Sequence, residues 1–190
     1  MVELCMQTIN LKNLKIENQC KGLSVVNYHN ITHCDMLNGE GIRVVLWVSG
    51  CEHKCQNCQN PFTWDIDGGI PFDQDAMFEI CSDLDEDYCS GLTLTGGDPL
   101  HKDNRYDIFR LLQSIKQNYP NKDIWLYTGY TYEEITKEMQ YILQYIDVLI
   151  EGQYIEEQRD IGLKWRGSSN QRVINVKETL KSKEIVLYCE

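Results

Sequence analysis

Short apolar runs alternate along this chain with segments whose apolar residues recur at helical spacing. Residues 44–48 open the series, and 92–95, 124–127, 148–150 and 185–187 continue it. Runs this short, bounded by polar and glycine-rich stretches, read as buried strands. Between them Ala76, Met77, Ile80, Cys81 and Leu84 share one helical face, as do Ile108, Leu111, Leu112 and Ile115, and then Ile135, Met139, Ile142 and Leu143. Thr131 followed by Glu134 is a capping-box arrangement and predicts where the third helix begins. Strands alternating with helices imply right-handed crossovers and a mostly parallel sheet, either open or curled into part of a barrel. In both, ligands gather beyond the carboxyl ends of the strands.

The run at 44–48 leads straight into Ser49, Gly50, Cys51, Glu52, His53, Lys54, Cys55, Gln56, Asn57 and Cys58, so three thiols begin where a strand ends. One loop can wrap three thiolates at this spacing around a compact centre, and thiolates suit zinc or iron-sulfur clusters. Structural zinc wants four protein ligands, whereas a four-iron cluster held by three cysteines leaves one iron open to a ligand. Zinc completed by His53 or His33, or three unligated thiols, are the bland alternatives. The run at 92–95 leads in the same way into Gly96, Gly97, Asp98 and Pro99. Paired glycines let main chain approach a ligand closely, and Asp98 could accept hydrogen bonds from an ammonium group, although the same tetrapeptide is also an ordinary turn.

Composition narrows the partners. With 190 residues, 42% of them hydrophobic, the chain can bury one good core, read here as one domain. Eighteen Lys and Arg stand against 29 Asp and Glu, a net charge of -11, which argues against a nucleic-acid partner. The longest apolar run is too short to span a bilayer and the first residues lack a signal pattern, so the expected location is the cytoplasm. Nine cysteines in a reducing compartment serve metals or redox chemistry more often than disulfides.

The cysteine loop and the Gly-Gly-acid turn together resemble the radical S-adenosylmethionine superfamily. Asn27-Tyr28-His29, Asn38 through Arg43, Gln59-Asn60-Pro61 with Thr63-Trp64, Gly96 through Leu100, Trp125 through Tyr130, and Trp165 through Gln171 resemble, more narrowly, the activating proteins of anaerobic ribonucleoside-triphosphate reductases. The resemblance implies an α/β fold, a partial, open (βα) barrel of about five to six parallel strands with outer helices. It implies a [4Fe-4S] cluster on Cys51, Cys55 and Cys58, with S-adenosyl-L-methionine chelating the open iron. The main chain of Asn57, Cys58 and Gln59 would lie along the adenosine, and Gly96, Gly97 and Asp98 would meet the methionine end. Reductive cleavage of the cofactor would yield a 5'-deoxyadenosyl radical, which abstracts hydrogen from a glycine of the reductase large subunit. The partners implied are that subunit, through its glycyl-radical loop, and a reductant such as a flavodoxin-like donor. Another glycyl-radical enzyme as target, a zinc-binding interaction module and a simple electron carrier are the competing readings.

Many superfamily members carry an aromatic residue just before the third cysteine, where this chain has Asn57. No side chain is assigned as a general acid or base, and His53 is read as a solvated loop residue. Trp125, Tyr127 and Tyr130 read as core aromatics that could also face the partner loop, and Arg166 to Gln171 as a polar loop without an assigned role. His29, His33 and Cys34 read as bland, as do Cys5, Cys20, Cys81, Cys89 and Cys189. The resemblance starts at Asn27, so residues 1–26 are read as an N-terminal extension ahead of a radical S-adenosylmethionine domain over 27–190, and we expect translation to begin at Val26, which would make residues 1–25 an artefact of gene calling.

Overall fold

The computed structural model describes residues 26–189, so the expected extension lies, apart from Val26, outside the described residues. A seven-stranded sheet forms the frame. Its strands are β1 (Asn27–Asp35), β2 (Ile42–Val48), β3 (Ile70–Pro71), β4 (Cys89–Gly96), β5 (Asp123–Tyr127), β6 (Val148–Glu151) and β7 (Arg172–Asn175), in the spatial order β3-β1-β2-β4-β5-β6-β7. The helices are α1 (Gln74–Leu84), α2 (Arg105–Asn118), α3 (Tyr132–Glu138), α4 (Gln140–Leu143) and α5 (Val176–Ser182). The centre, β2-β4-β5-β6, is parallel, while β1, β3 and β7 join it antiparallel. Each parallel neighbour is reached through a helical crossover, as the strand–helix alternation requires.

Three local readings shift. Residues 185–187 form no strand; Leu187 makes an isolated bridge to Ile174, and β7 takes the edge instead. β1 has no apolar run: only its Tyr28 and Ile31 are buried, on either side of a register shift, because an antiparallel strand near the sheet edge buries only part of its surface. The third helix starts at the Thr131 capping box as expected, but breaks at Met139, whose φ of -137° is outside the helical range, into α3 and α4. Met139 is itself buried, so the apolar stripe is continuous although the helix is not.

The two faces of the sheet differ. Val44, Leu46, Val48, Leu92, Leu94, Ile124, Leu126 and Leu149 belong to the main core, together with the buried stripes of α1 and α2. Alternate residues of the same strands project to the other face, where Trp125, Val148, Ile150 and Val173 pack with Tyr127, Trp165 and Tyr188. This second face carries no helix stripe of its own; it is lined by aromatic rings and, toward one side, opens into a cavity.

The amino ends of the parallel strands are fastened by ion pairs. Arg43, fully buried, donates to Thr93 Oγ1 (2.7 Å), the Glu40 carbonyl (3.0 Å) and the Leu92 carbonyl (3.1 Å), pairs with Asp123 (2.6 Å) and lies over the Trp125 ring. Asp147, just before β6, accepts from the Ile124 N–H (2.7 Å) and pairs with Lys116 (2.6 Å) and Lys177 (2.5 Å). Opposite charges and main-chain partners around these groups let Arg43 and Asp147 stay inside.

Candidate metal centre and its cavity

β2 ends at Val48 and the chain turns through Gly50, whose φ of +93° is reached without strain only by glycine. The turn is pinned by main-chain bonds from Gly50 N to the Thr63 carbonyl (2.8 Å) and from Cys51 N to the Trp64 carbonyl (3.1 Å). Lys54 and Asn57 also adopt positive φ, +47° and +54°. Asparagine is among the residues best suited to that conformation. The residue standing in place of an aromatic therefore has a local backbone reason.

Cys51, Cys55 and Cys58 are free thiols, partly buried at the rim of the sheet. The Asn60 N–H points at Cys58 Sγ (3.3 Å), and the Cys58 N–H closes a turn on the Cys55 carbonyl (3.2 Å). Burial pushes the Cys51 thiol up to about 11, with the charge of Asp98 adding to it and main-chain N–H groups of His53 and Lys54 opposing it. N–H groups directed at sulfur suit a thiolate ligand, whose proton a metal displaces.

The second loop locks onto the first. β4 runs beside β2 in register from Val44–Leu92 to Val48–Gly96, which brings both strand ends to one place. Gly97 N donates to the Val48 carbonyl and Asp98 N to the Gly50 carbonyl, both at 2.7 Å. A Cβ on Gly97 would sit 2.5 Å from the Gly50 oxygen, so only glycine permits this approach. Asn104 Nδ2 adds bonds to the Ser49 (2.7 Å) and Asp98 (3.2 Å) carbonyls.

Asp98 turns its carboxylate inward, at 1% exposure. It accepts from Leu100 N (2.8 Å), Thr128 Oγ1 (2.9 Å), Gly129 N (2.9 Å) and His53 Nε2 (2.8 Å). Its acceptor sites are thus filled by the protein. The solvated reading of His53 fails here: its side chain is 14% exposed because the ring wedges between Asp98 and Tyr130, 4.7 Å away edge-on. Hydrogen bonding to Asp98, partly offset by burial, raises its pKa.

On the second sheet face a cavity of about 480 Å³ opens. Cys58, Gln59 and Asn60 form part of its wall, with Trp47, Thr95 and Tyr127 from the strands and Tyr154, Trp165, Arg166 and Gln171 from the loops before and after residue 160. Its volume is that of a small-molecule site. Of the residues expected to meet the cofactor, Cys58 and Gln59 line it, joined by Tyr127 and by Arg166, Gly167 and Gln171 of the loop left without a role. Asn57 stands exposed beside it, and Gly96, Gly97 and Asp98 form the floor joint with the cysteine loop rather than its wall. Sequence reasoning gave no role to Thr128, Asn104 or Trp47; only Thr128 fell in a quoted motif, and nothing in its chemistry announced a bond to Asp98.

Single-ion zinc fits poorly. Among the described residues no three His, Cys, Asp or Glu side chains converge as a mononuclear site requires. His33 sits near the amino end of β2, since Thr32 pairs with Val45, and is bonded to Asp83 (2.7 Å) and Glu79 (2.9 Å). His53 is held by Asp98. A four-iron cluster instead spreads three thiolates over three irons, so the sulfurs need not meet at one point.

Comparison with known proteins settles the family. A family model described as a 4Fe-4S single cluster domain matches residues 37–174, which include all three cysteines of the loop. The chain is 45% identical over 148 residues to the anaerobic ribonucleoside-triphosphate reductase-activating protein of Vibrio cholerae, covering 77% of this chain and 96% of that one. It is 47% identical to the protein of the same name from Enterobacteria phage T4, over 78% of this chain and 93% of that one. For the Escherichia coli K12 protein the identity is 41%, over 78% and 97% of the two chains. The chain belongs to the anaerobic ribonucleoside-triphosphate reductase-activating protein family. It shares that family's iron-sulfur domain, and among its described residues no helix is long and apolar enough to cross a membrane.

Proposed function

We propose that this chain is a radical S-adenosylmethionine enzyme that installs a glycyl radical on the large subunit of an anaerobic ribonucleoside-triphosphate reductase. The observation that carries the reading is the joint between the loops: the cysteine loop is hydrogen-bonded to the Gly96-Gly97 turn, and its last cysteine opens on a cavity of small-molecule size. The names of the relatives supply the target. We read the sheet as an open portion of a (βα) barrel whose second face is the barrel interior.

In this reading Cys51, Cys55 and Cys58 hold the cluster and Cys58, Gln59 and Asn57 offer main chain to the adenosine. Gly96 and Gly97, with Asp98 buried behind them, meet the methionine end. A [4Fe-4S] cluster held there would pass one electron from the reductant to the sulfonium of S-adenosyl-L-methionine, supplying its reductive cleavage to methionine and a 5'-deoxyadenosyl radical. The protein's work is placement and exclusion of water. Trp47, Tyr127, Tyr154 and Trp165 give the cavity apolar walls that keep a reactive radical from solvent. No side chain is called on to move a proton. The chain works in the cytoplasm with a reductant such as a flavodoxin-like donor.

Anoxic reconstitution with iron and sulfide tests this. Reduced protein should cleave S-adenosyl-L-methionine, and mixing with the large subunit should produce a glycyl-radical signal in electron paramagnetic resonance. One tightly held zinc without acid-labile sulfide would end the proposal.

A further inference from the structure

His53 lies between two of the three cluster cysteines, and its ring packs against Asp98, Gly129 and Tyr130, in the loops that follow β4 and β5. Its Nε2 is 2.8 Å from Asp98 Oδ2, and the Gln153 side chain donates to its carbonyl (3.1 Å). Gly129 leaves it room: a Cβ there would stand 2.4 Å from the ring. Tyr130 covers the ring and hydrogen-bonds through its hydroxyl to Glu52, the residue before His53. One imidazole therefore ties the middle of the cysteine loop to both neighbouring strand ends.

The same imidazole faces a buried charge. Asp98 has no lysine or arginine among its bonded partners; its donors are a hydroxyl, two main-chain N–H groups and His53. It lies against the cysteine loop, since its own N–H is bonded to the carbonyl of Gly50, the residue before Cys51 (2.7 Å). A negative charge beside a cluster disfavours the added electron of the reduced state, because burial leaves little water to screen it.

We propose that His53 is a positioning residue for the cluster: through its bond to Asp98 it fixes the cysteine loop on the strand ends and offsets the buried carboxylate beside the thiolates. The inference rests on the iron-sulfur reading above, and deepens it by giving a non-ligand residue a part in setting the cluster's potential.

The test is a redox titration of the reconstituted full chain, followed by the electron paramagnetic resonance of the reduced cluster. His53→Leu keeps bulk and loses the donor. Its cluster should become harder to reduce by about 59 mV, a tenfold change in the reduced-to-oxidised ratio of a one-electron couple. His53→Gln, whose amide can reach Asp98, should restore most of the wild-type potential and signal. Gly129→Ala, which pushes the ring aside while leaving both partners in place, should shift the potential in the same direction, and serves if His53→Leu does not fold. Unchanged potentials in His53→Leu and Gly129→Ala overturn the inference, as does a His53→Gln shift as large as that of His53→Leu. Wild-type protein that takes up no iron or sulfide overturns the underlying reading before any variant is compared.

Discussion

At the amino ends of the parallel strands, buried charge is met by opposite charge: Asp147 by Lys116 and Lys177, Arg43 by Asp123. At the carboxyl ends the buried carboxylate of Asp98 is met by a hydroxyl, main-chain N–H groups and a histidine. The first arrangement fastens helices and strands into a frame. The second joins three loops to one another, at the end of the sheet where the thiols stand. Stability and site placement are thus assigned to opposite ends of the same strands, the division familiar from barrel enzymes.

The largest break in this division comes from the thiols. On the proposed function, Cys58→Ala should abolish the four-iron absorbance and S-adenosyl-L-methionine cleavage. Because the side chain stands at the rim, the stability of the metal-free chain should change by less than about 0.5 kcal/mol. Matched denaturation curves and iron counts check it; a large loss of metal-free stability would mean that the loop belongs to the frame.

Asp147→Ala probes the other end. Removing the partner of two lysines and of the Ile124 N–H should lower stability by about 2–3 kcal/mol, with iron content and potential unchanged. Lys177 is largely solvent-exposed, so most of the effect belongs to Lys116. The pH dependence has a definite sign. Burial pushes the Asp147 carboxyl up, but Lys116, Lys177 and the Ile124 N–H together bring it below its ordinary value. Its stabilisation is therefore full above the ordinary carboxylate pKa and fades as pH falls through the lower folded value. Denaturant titrations of wild type and variant should converge in acid; a gap that stays constant down to the lowest pH would remove the ion pairs as its cause.

Gly97→Ala tests the joint. A Cβ 2.5 Å from the Gly50 oxygen must part the two loops, which should cost about 1–3 kcal/mol and degrade cluster retention together. Stability loss with normal cluster retention would place the joint in the frame after all. The smallest effect is expected at Thr131→Ala, which removes the capping box of α3 and should lower stability by about 1 kcal/mol without touching cleavage. Altered cleavage there would show that the loop after β5 transmits strain to Asp98.

Much of this was open to reading in the sequence. The apolar stripes of α1 and α2 and the capping box are local patterns, set by helical period and by hydrogen bonds within four residues. The three-cysteine loop and the glycine pair announce themselves because few other residue types can take their places. What stayed hidden is non-local. β1 and β7 have no apolar run because their neighbours, not their own composition, bury them. The break at Met139 lies within an unbroken apolar stripe. His53 reads as a polar residue in a polar loop until Asp98, 45 positions later, is folded against it.

Sequence by itself determined the central strands, the helical stripes and the family, since each depends on residue type and spacing along the chain. Tertiary structure alone decided which groups share a buried space: that Gly97 rests on Gly50, that Asp98 spends its carboxylate on His53 and Thr128, and that Cys58 opens on an aromatic cavity. The physical reason is that desolvation makes every buried polar atom find a partner, and that partner is chosen by proximity in the fold, which spacing along the chain does not encode.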